Sequence, residues 1–252
     1  MRNLKRTLSL ALAAIMLIGM MVVSASAASY NDLTDKDQIV NKDAVSMLVS
    51  LGIIEGKPDG SYAPTENVDR AQMAKMLSVI MNKGVDNSAL YQSVNSGLTD
   101  ITSHWAKGHI NYCYTTGIIA GRGTGTFDPS ATVTALEAAK MLLVAVGYDP
   151  AIEGFEGADW AINVSVRADE QGIFEGFTKD LYRDDAALLI YNALDVEMIQ
   201  SYTTNNYPIA YSDHRTILAD KYGVIKVQGV VVANEWASLA SDDGDAALKE
   251  GK

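Results

Sequence analysis

A chain of 252 residues is long enough for one or two domains, and 48% hydrophobic with 20% charged residues is the composition of a globular protein. Asp and Glu number 31 against 20 Lys and Arg, and the resulting −11 excludes nonspecific nucleic-acid binding and docking to anionic lipid. One cysteine excludes an intramolecular disulfide framework and a multi-thiolate zinc site, and three histidines leave little material for a histidine-rich metal site.

Residues 1–27 have the pattern of an export signal. Arg2, Lys5 and Arg6 form a basic start, Leu8 to Val23 is almost continuously apolar, and Ala25-Ser26-Ala27 is an A-x-A cleavage site. The alternative is an N-terminal membrane anchor, but the run falls short of the roughly 20 residues a spanning helix needs. The mature protein is expected to start at Ala28, free of the membrane. The lone Cys113, between Tyr112 and Tyr114 in a helical pattern, is expected to be a small buried apolar residue.

An internal repeat organises the remainder. Leu33 to Leu77 realigns without gaps on Leu98 to Leu142 at a constant offset of 65. Leu33-Thr34-Asp35 matches Leu98-Thr99-Asp100, GIIEGKPDGSYAP from Gly52 matches GIIAGRGTGTFDP from Gly117, and Ala74 to Leu77 matches Ala139 to Leu142. A third, eroded copy has Trp160 placed before Gly172 as Trp105 is before Gly117, GIFEG from Gly172 to Gly176, and Leu181-Tyr182-Arg183 in place of Val68-Asp69-Arg70. It has lost the DGxY/F-x-P turn.

Each unit reads as helix, turn, helix. Val45, Leu48, Val49 and Leu51 form a stripe ending at Gly52, and Pro58-Asp59-Gly60 is a turn in which proline presets φ and glycine accepts positive φ. Asp69-Arg70-Ala71-Gln72 and Thr134-Ala135-Leu136-Glu137 fit an N-cap with Gln or Glu at N3. Met73, Met76, Leu77 and Ile80 face a core in the first copy, as do Leu136, Ala139, Leu143 and Val146 in the second. Two short helices bury little alone, so the three units must share one core.

No G-x-S-x-G, H-E-x-x-H or P-loop is present, so no catalytic, metal or cofactor site is expected. His104 and His109 share no helix face with a third ligand. Asp35, Asp37 and Asp43 lack the glycine and glutamate of a calcium loop.

The combined pattern L-T-D, W-A, G-I-x-x-G, G-x-F-x-P and V-T-x-x-E resembles the S-layer homology module of bacterial cell-surface proteins over roughly residues 33–197. The resemblance implies a mainly α fold: a pseudo-threefold bundle of repeats at 30–84, 96–149 and, degenerate, 155–200. It also implies noncatalytic anchoring to secondary cell-wall polysaccharide, an anionic partner, by a secreted protein of the cell wall or S-layer that could self-assemble at the surface. The family's groove uses an arginine at the start of the second helix, a tryptophan from the first helix and glycine backbone in the turn. Those pieces map onto Arg70, Arg183, Trp105, Trp160, Gly60 and Gly125. Val40 replaces the tryptophan in the first copy, Ala135 replaces the arginine in the second, and the third lacks the glycine turn. No copy is complete, so fewer than three working sites are expected.

Arg70 and Arg183 would sit where free helix N–H groups face an anion, and a guanidinium can hold a carboxylate by two hydrogen bonds. Such arginines are expected to be replaceable with little loss of melting temperature. The competing reading makes the arginines solvated surface charges and the tryptophans core anchors between helices, and for the tryptophans the core role is the favoured one.

The strand-like run Val224 to Ala233 marks residues 216–252 as the start of a β-rich domain or a disordered tail. Two other readings remain: the anchoring region of a wall-acting carbohydrate enzyme whose catalytic domain is absent from this chain, and a structural surface protein whose repeats no longer bind sugar.

Overall fold

The computed structural model describes residues 29–173 and 181–226. The export signal, most of the GIFEG turn and residues 227–252 lie outside them. The fold is mainly α. Six helices, α1 (Lys42–Ser50), α2 (Arg70–Met81), α3 (Lys107–Thr115), α4 (Ala135–Val146), α5 (Trp160–Glu170) and α6 (Arg183–Ala193), are followed by the strands β1 (Ile199–Tyr202) and β2 (Pro208–Ala210) and a short α7 (Ile217–Tyr222).

Both capping patterns form. Asp69 Oδ1 accepts the Gln72 N–H at 2.7 Å while Gln72 Oε1 accepts the Asp69 N–H at 3.1 Å. Thr134 Oγ1 and Glu137 do the same for α4. The helices stop where the sequence changes backbone preference: Gly52 and Gly117 follow α1 and α3 with φ of 70° and 77°, and Gly147 caps α4 at 113°. Val45, Leu48 and Val49, then Met73, Leu77 and Ile80, then Ala139, Leu143 and Val146 are buried in one continuous core, and Cys113 is buried with them.

The two helices of a repeat find their main partners outside it. The first helix of each unit packs on the second helix of the preceding one, α3 on α2 and α5 on α4, while α1 packs on α6. The backbone repeats this rule. Val133 N donates to Val68 O, Arg70 N to Ala131 O and Ala71 N to Pro129 O. Val68 N donates to Leu181 O, Arg183 N to Glu66 O and Asp184 N to Pro64 O. The prolines of the F-x-P and Y-x-P turns thus supply carbonyls to a helix start in a neighbouring unit.

The tail departs from the sequence reading. Residues 217–222, expected to open a β-rich region, form α7, with Ile217 and Leu218 buried and Thr216 Oγ1 accepting the Ala219 N–H as its cap. Among the described residues the β-sheet lies earlier, as an antiparallel hairpin pairing Ile199 with Ala210 and Tyr202 with Pro208. Packing divides the chain after Tyr222, and residues 223–226 carry no regular secondary structure.

The linker between the first two units lies close on α3. A Cβ on Gly108 would come 2.1 Å from the Ser88 carbonyl oxygen, and Asn111 Nδ2 donates to Tyr91 O and Val94 O at 2.9 Å each. Gly108 sits inside a helix, where Ala would ordinarily gain about 1 kcal/mol. Gly108→Ala is nevertheless expected to lower the melting temperature by a few degrees, because overpacking, which costs roughly 1–3 kcal/mol and more against rigid backbone, outweighs that gain. A thermal melt reads the sign directly.

Candidate functional site

Arg70 and Arg183 are the first residues of α2 and α6. The sequence reading expected free helix N–H groups there, but the N–H groups of Arg70, Ala71, Arg183 and Asp184 donate to carbonyls of neighbouring units, and that of Gln72 to the Asp69 cap. The guanidinium groups instead reach across to the turn of another unit. Arg70 Nε donates to Phe127 O at 2.9 Å and Nη2 to Ala120 O at 3.2 Å. Arg183 Nε donates to Tyr62 O at 2.7 Å and Nη2 to Glu55 O at 3.4 Å. Tyr62 and Glu55 are the 65-residue counterparts of Phe127 and Ala120, so both arginines are held by equivalent carbonyl pairs. Each also lies over the aromatic ring of that turn, at 4.4 Å for Phe127 and 4.9 Å for Tyr62.

These crossings assemble two grooves from pieces of different units. The first, of about 280 Å³, joins the turn Ile53–Pro58 and Lys75 of unit one to Arg183 of unit three and Trp105 of unit two. The second, of about 580 Å³, joins the turn Ile118–Gly123 and Lys140 of unit two to Arg70 of unit one and Trp160 of unit three. No single copy is complete, yet each of these grooves has an arginine, a tryptophan and a glycine-containing turn, because the pieces come from different copies. A third cleft, around Val40 and Lys42, has Val40 at the tryptophan position and Leu188 at the Lys75 position, and Ala135 stands at the arginine position. There the buried Asp184 carboxylate accepts the N–H groups of Val40 and Asn41 at 3.2–3.3 Å, so the start of α1 is already occupied by the chain's own anion.

Gly60 and Gly125 do not line the grooves. They take φ of 82° and 75°, and their carbonyls accept the N–H groups of Thr34 and Thr99 within their own units. The glycines that line the grooves are Gly56 in the first and Gly121, Gly123 and Gly157 in the second. Trp105 is 56% exposed, against the core role favoured for it, whereas Trp160 is partly buried against the core and still reaches its groove. Arg70 is 3% exposed and not a solvated charge.

Sequence reasoning missed the part played by four residues. Asp35 and Asp100, the acids of the L-T-D strings, clamp the turns: Asp35 accepts Tyr62 N and Ala63 N at 2.7 Å each, and Asp100 does likewise for Phe127 N and Asp128 N. Lys140 Nζ donates to Phe155 O at 2.5 Å and lies 5.9 Å from the Trp160 ring. Glu137 bridges Arg122 at 2.6 Å and Arg70 at 3.4 Å. Burial would raise its pKa, but the Thr134 N–H, Arg122 and Arg70 outweigh burial and hold the carboxyl below the usual range. The constant offset of 65 could have exposed the lysines, since Lys75 and Lys140 are counterparts.

His104 and His109 flank Trp105, with ring centroids 5.6 and 6.3 Å away. His109 is buried, with Nδ1 2.6 Å from Ser78 Oγ. Burial pushes its pKa below the ordinary value against the pull of Asp86.

The structure is a helical scaffold whose units pack their helices on one another and leave charged, aromatic-rimmed grooves between them. The S-layer homology domain family matches residues 29–74 and 97–139, and the chain carries two domains of that family. A middle cell wall protein of Brevibacillus brevis is 26% identical over 240 residues, covering 94% of this chain and 22% of that protein. An S-layer protein of Bacillus licheniformis is 32% identical over 113 residues, covering 45% of this chain and 12% of the relative. An exoglucanase of Acetivibrio thermocellus is 27% identical over 192 residues, covering 69% and 17% respectively. The chain therefore spans about a fifth or less of these relatives. The matches mark a secreted, cell-wall-associated protein and support a role in cell-wall anchoring.

Proposed function

We propose that residues 29–222 are a noncatalytic anchor that binds anionic secondary cell-wall polysaccharide in the two inter-unit grooves. The observation that carries this reading is the identical seating of Arg70 and Arg183 on equivalent carbonyl pairs, each opposite an aromatic side chain from a third unit. A guanidinium fixed by backbone keeps its remaining N–H groups for the oxygen atoms of a ligand, and a tryptophan gives a sugar ring an apolar face. The recurrence of the same hydrogen bonds from unit three to unit one and from unit one to unit two supports a pseudo-threefold arrangement of three units, of which the third is degenerate.

The exoglucanase and amylopullulanase relatives favour a second reading of the whole protein, the anchoring region of a wall-acting carbohydrate enzyme. The S-layer relatives instead suggest assembly at the surface. Both readings use the same grooves.

The test is retention of the full chain on purified cell walls with and without their secondary polysaccharide. Retention is expected only on intact walls. Arg183→Ala is expected to weaken it roughly tenfold or more, the effect of one charge-assisted partner. Equal retention on stripped walls would overturn the reading.

A further inference from the structure

Resting on that reading, we propose that the two grooves select different sugar units: the Arg183 groove an acidic one and the Arg70 groove an uncharged one, with Gln72 and Glu137 setting the difference. The two residues are counterparts at the 65-residue offset, and both are the N3 members of capping boxes. Each cap consumes one oxygen. Gln72 Oε1 accepts the Asp69 N–H, which leaves the amide NH₂ as its remaining polar group. Glu137 Oε2 accepts the Thr134 N–H, which leaves a carboxylate oxygen, Oε1.

The consequences for the arginines differ. In the second groove Glu137 Oε1 already accepts from Arg122 and Arg70, and Glu156 lines the same groove, so an incoming anion meets two carboxylates and must share cations that are already paired. A sugar hydroxyl or acetamido group, which both donates and accepts, fits that mixed set. In the first groove the hydrogen bonds of Arg183 go to carbonyl oxygens, and no carboxylate among the described residues bonds to its guanidinium. Lys57 pairs with Glu66 and Lys75 with Glu55, but among the described residues Glu55 is the one acidic residue lining the groove, against three basic ones. Guanidinium, amide NH₂ and ammonium make a donor set, and that set fits a carboxylate or phosphate substituent. A polymer filling both grooves therefore carries acidic and uncharged units together.

Trp105 reports the first groove and Trp160 the second. The full chain is prepared with Trp236→Phe and one further Trp→Phe change, leaving a single reporter. Each form is titrated with fragments released from purified secondary wall polysaccharide and separated by anion exchange into acidic and uncharged fractions. Trp105 fluorescence is expected to respond at least fivefold more tightly to the acidic fraction, and Trp160 to the uncharged one. Glu137→Gln is expected to tighten the acidic fraction at Trp160 roughly tenfold, and Gln72→Glu to weaken it at Trp105 by a similar factor, as for one charge a few ångströms away. Both variants keep a residue that this chain already uses in the same capping box. If both grooves bind both fractions alike and neither exchange matters, the selectivity proposal fails while sugar binding stands. If neither reporter responds to any fraction, the binding reading fails and takes the proposal with it.

Discussion

Arg70→Ala is expected to lower the melting temperature of the full chain by roughly 6–12 °C. Arg70 is a buried charge whose bonds join α2 to the turn of the next unit. Its loss orphans the carbonyls of Phe127 and Ala120, removes the cation over the Phe127 ring and takes one partner from Glu137. Removing one side of a buried charge-assisted set costs about 3 kcal/mol, and each kcal/mol shifts a domain of this size by about 2–4 °C. Arg183→Ala is expected to cost less, because Arg183 is only half-buried. Arg70→Lys is expected to recover only part of the loss, since an ammonium cannot serve two carbonyls in a fixed fork. Calorimetry on the three variants orders them. Equal melting of Arg70→Ala and the parent would mean that the guanidinium is not held as described.

The same residue shows how far the sequence alone carries. Capping boxes, glycine stops and apolar stripes are local, and Asp69–Gln72, Thr134–Glu137 and the run Met73, Leu77, Ile80 are readable because the interacting residues lie within a few positions of one another. Arg70 and Arg183 are also legible as functional candidates. Their partners are not: Phe127 lies 57 residues from Arg70, and Tyr62 lies 121 from Arg183. The repeat suggests assembling each groove within a copy, whereas the helices pair between copies, and that one change turns three incomplete sites into two complete grooves and a third cleft without arginine or tryptophan. The start of the tail, residues 217–222, is misread for a related reason. Thr216 and the apolar pair Ile217-Leu218 specify a short capped helix, but the β-branched run that follows dominates the local pattern.

The excised second unit, residues 96–149, is expected to be largely unfolded. Several of its local devices survive excision: the Thr134–Glu137 box, the Asp100 clamp on Phe127 and Asp128, and the Thr99–Gly125 contact all lie within it. What it loses is every main partner of its helices. The partners of α3 are α2 and the linker turn Ser88–Tyr91, and those of α4 are α5, α6 and α2, all outside the excised segment. Ile110, Cys113, Leu143 and Val146, buried in the whole chain, would lose these helix partners. The backbone bonds Arg70 N to Ala131 O, Ala71 N to Pro129 O and Val133 N to Val68 O vanish as well. With 9 and 12 residues, α3 and α4 are too short to persist alone in water, where isolated helices below about 12–15 residues are marginal. Circular dichroism of the excised unit is therefore expected to show little helix and no cooperative melt, while residues 29–226 melt in a single transition. A sharp, reversible melt of residues 96–149 would refute the shared core, and with it the assembly of each groove from three units.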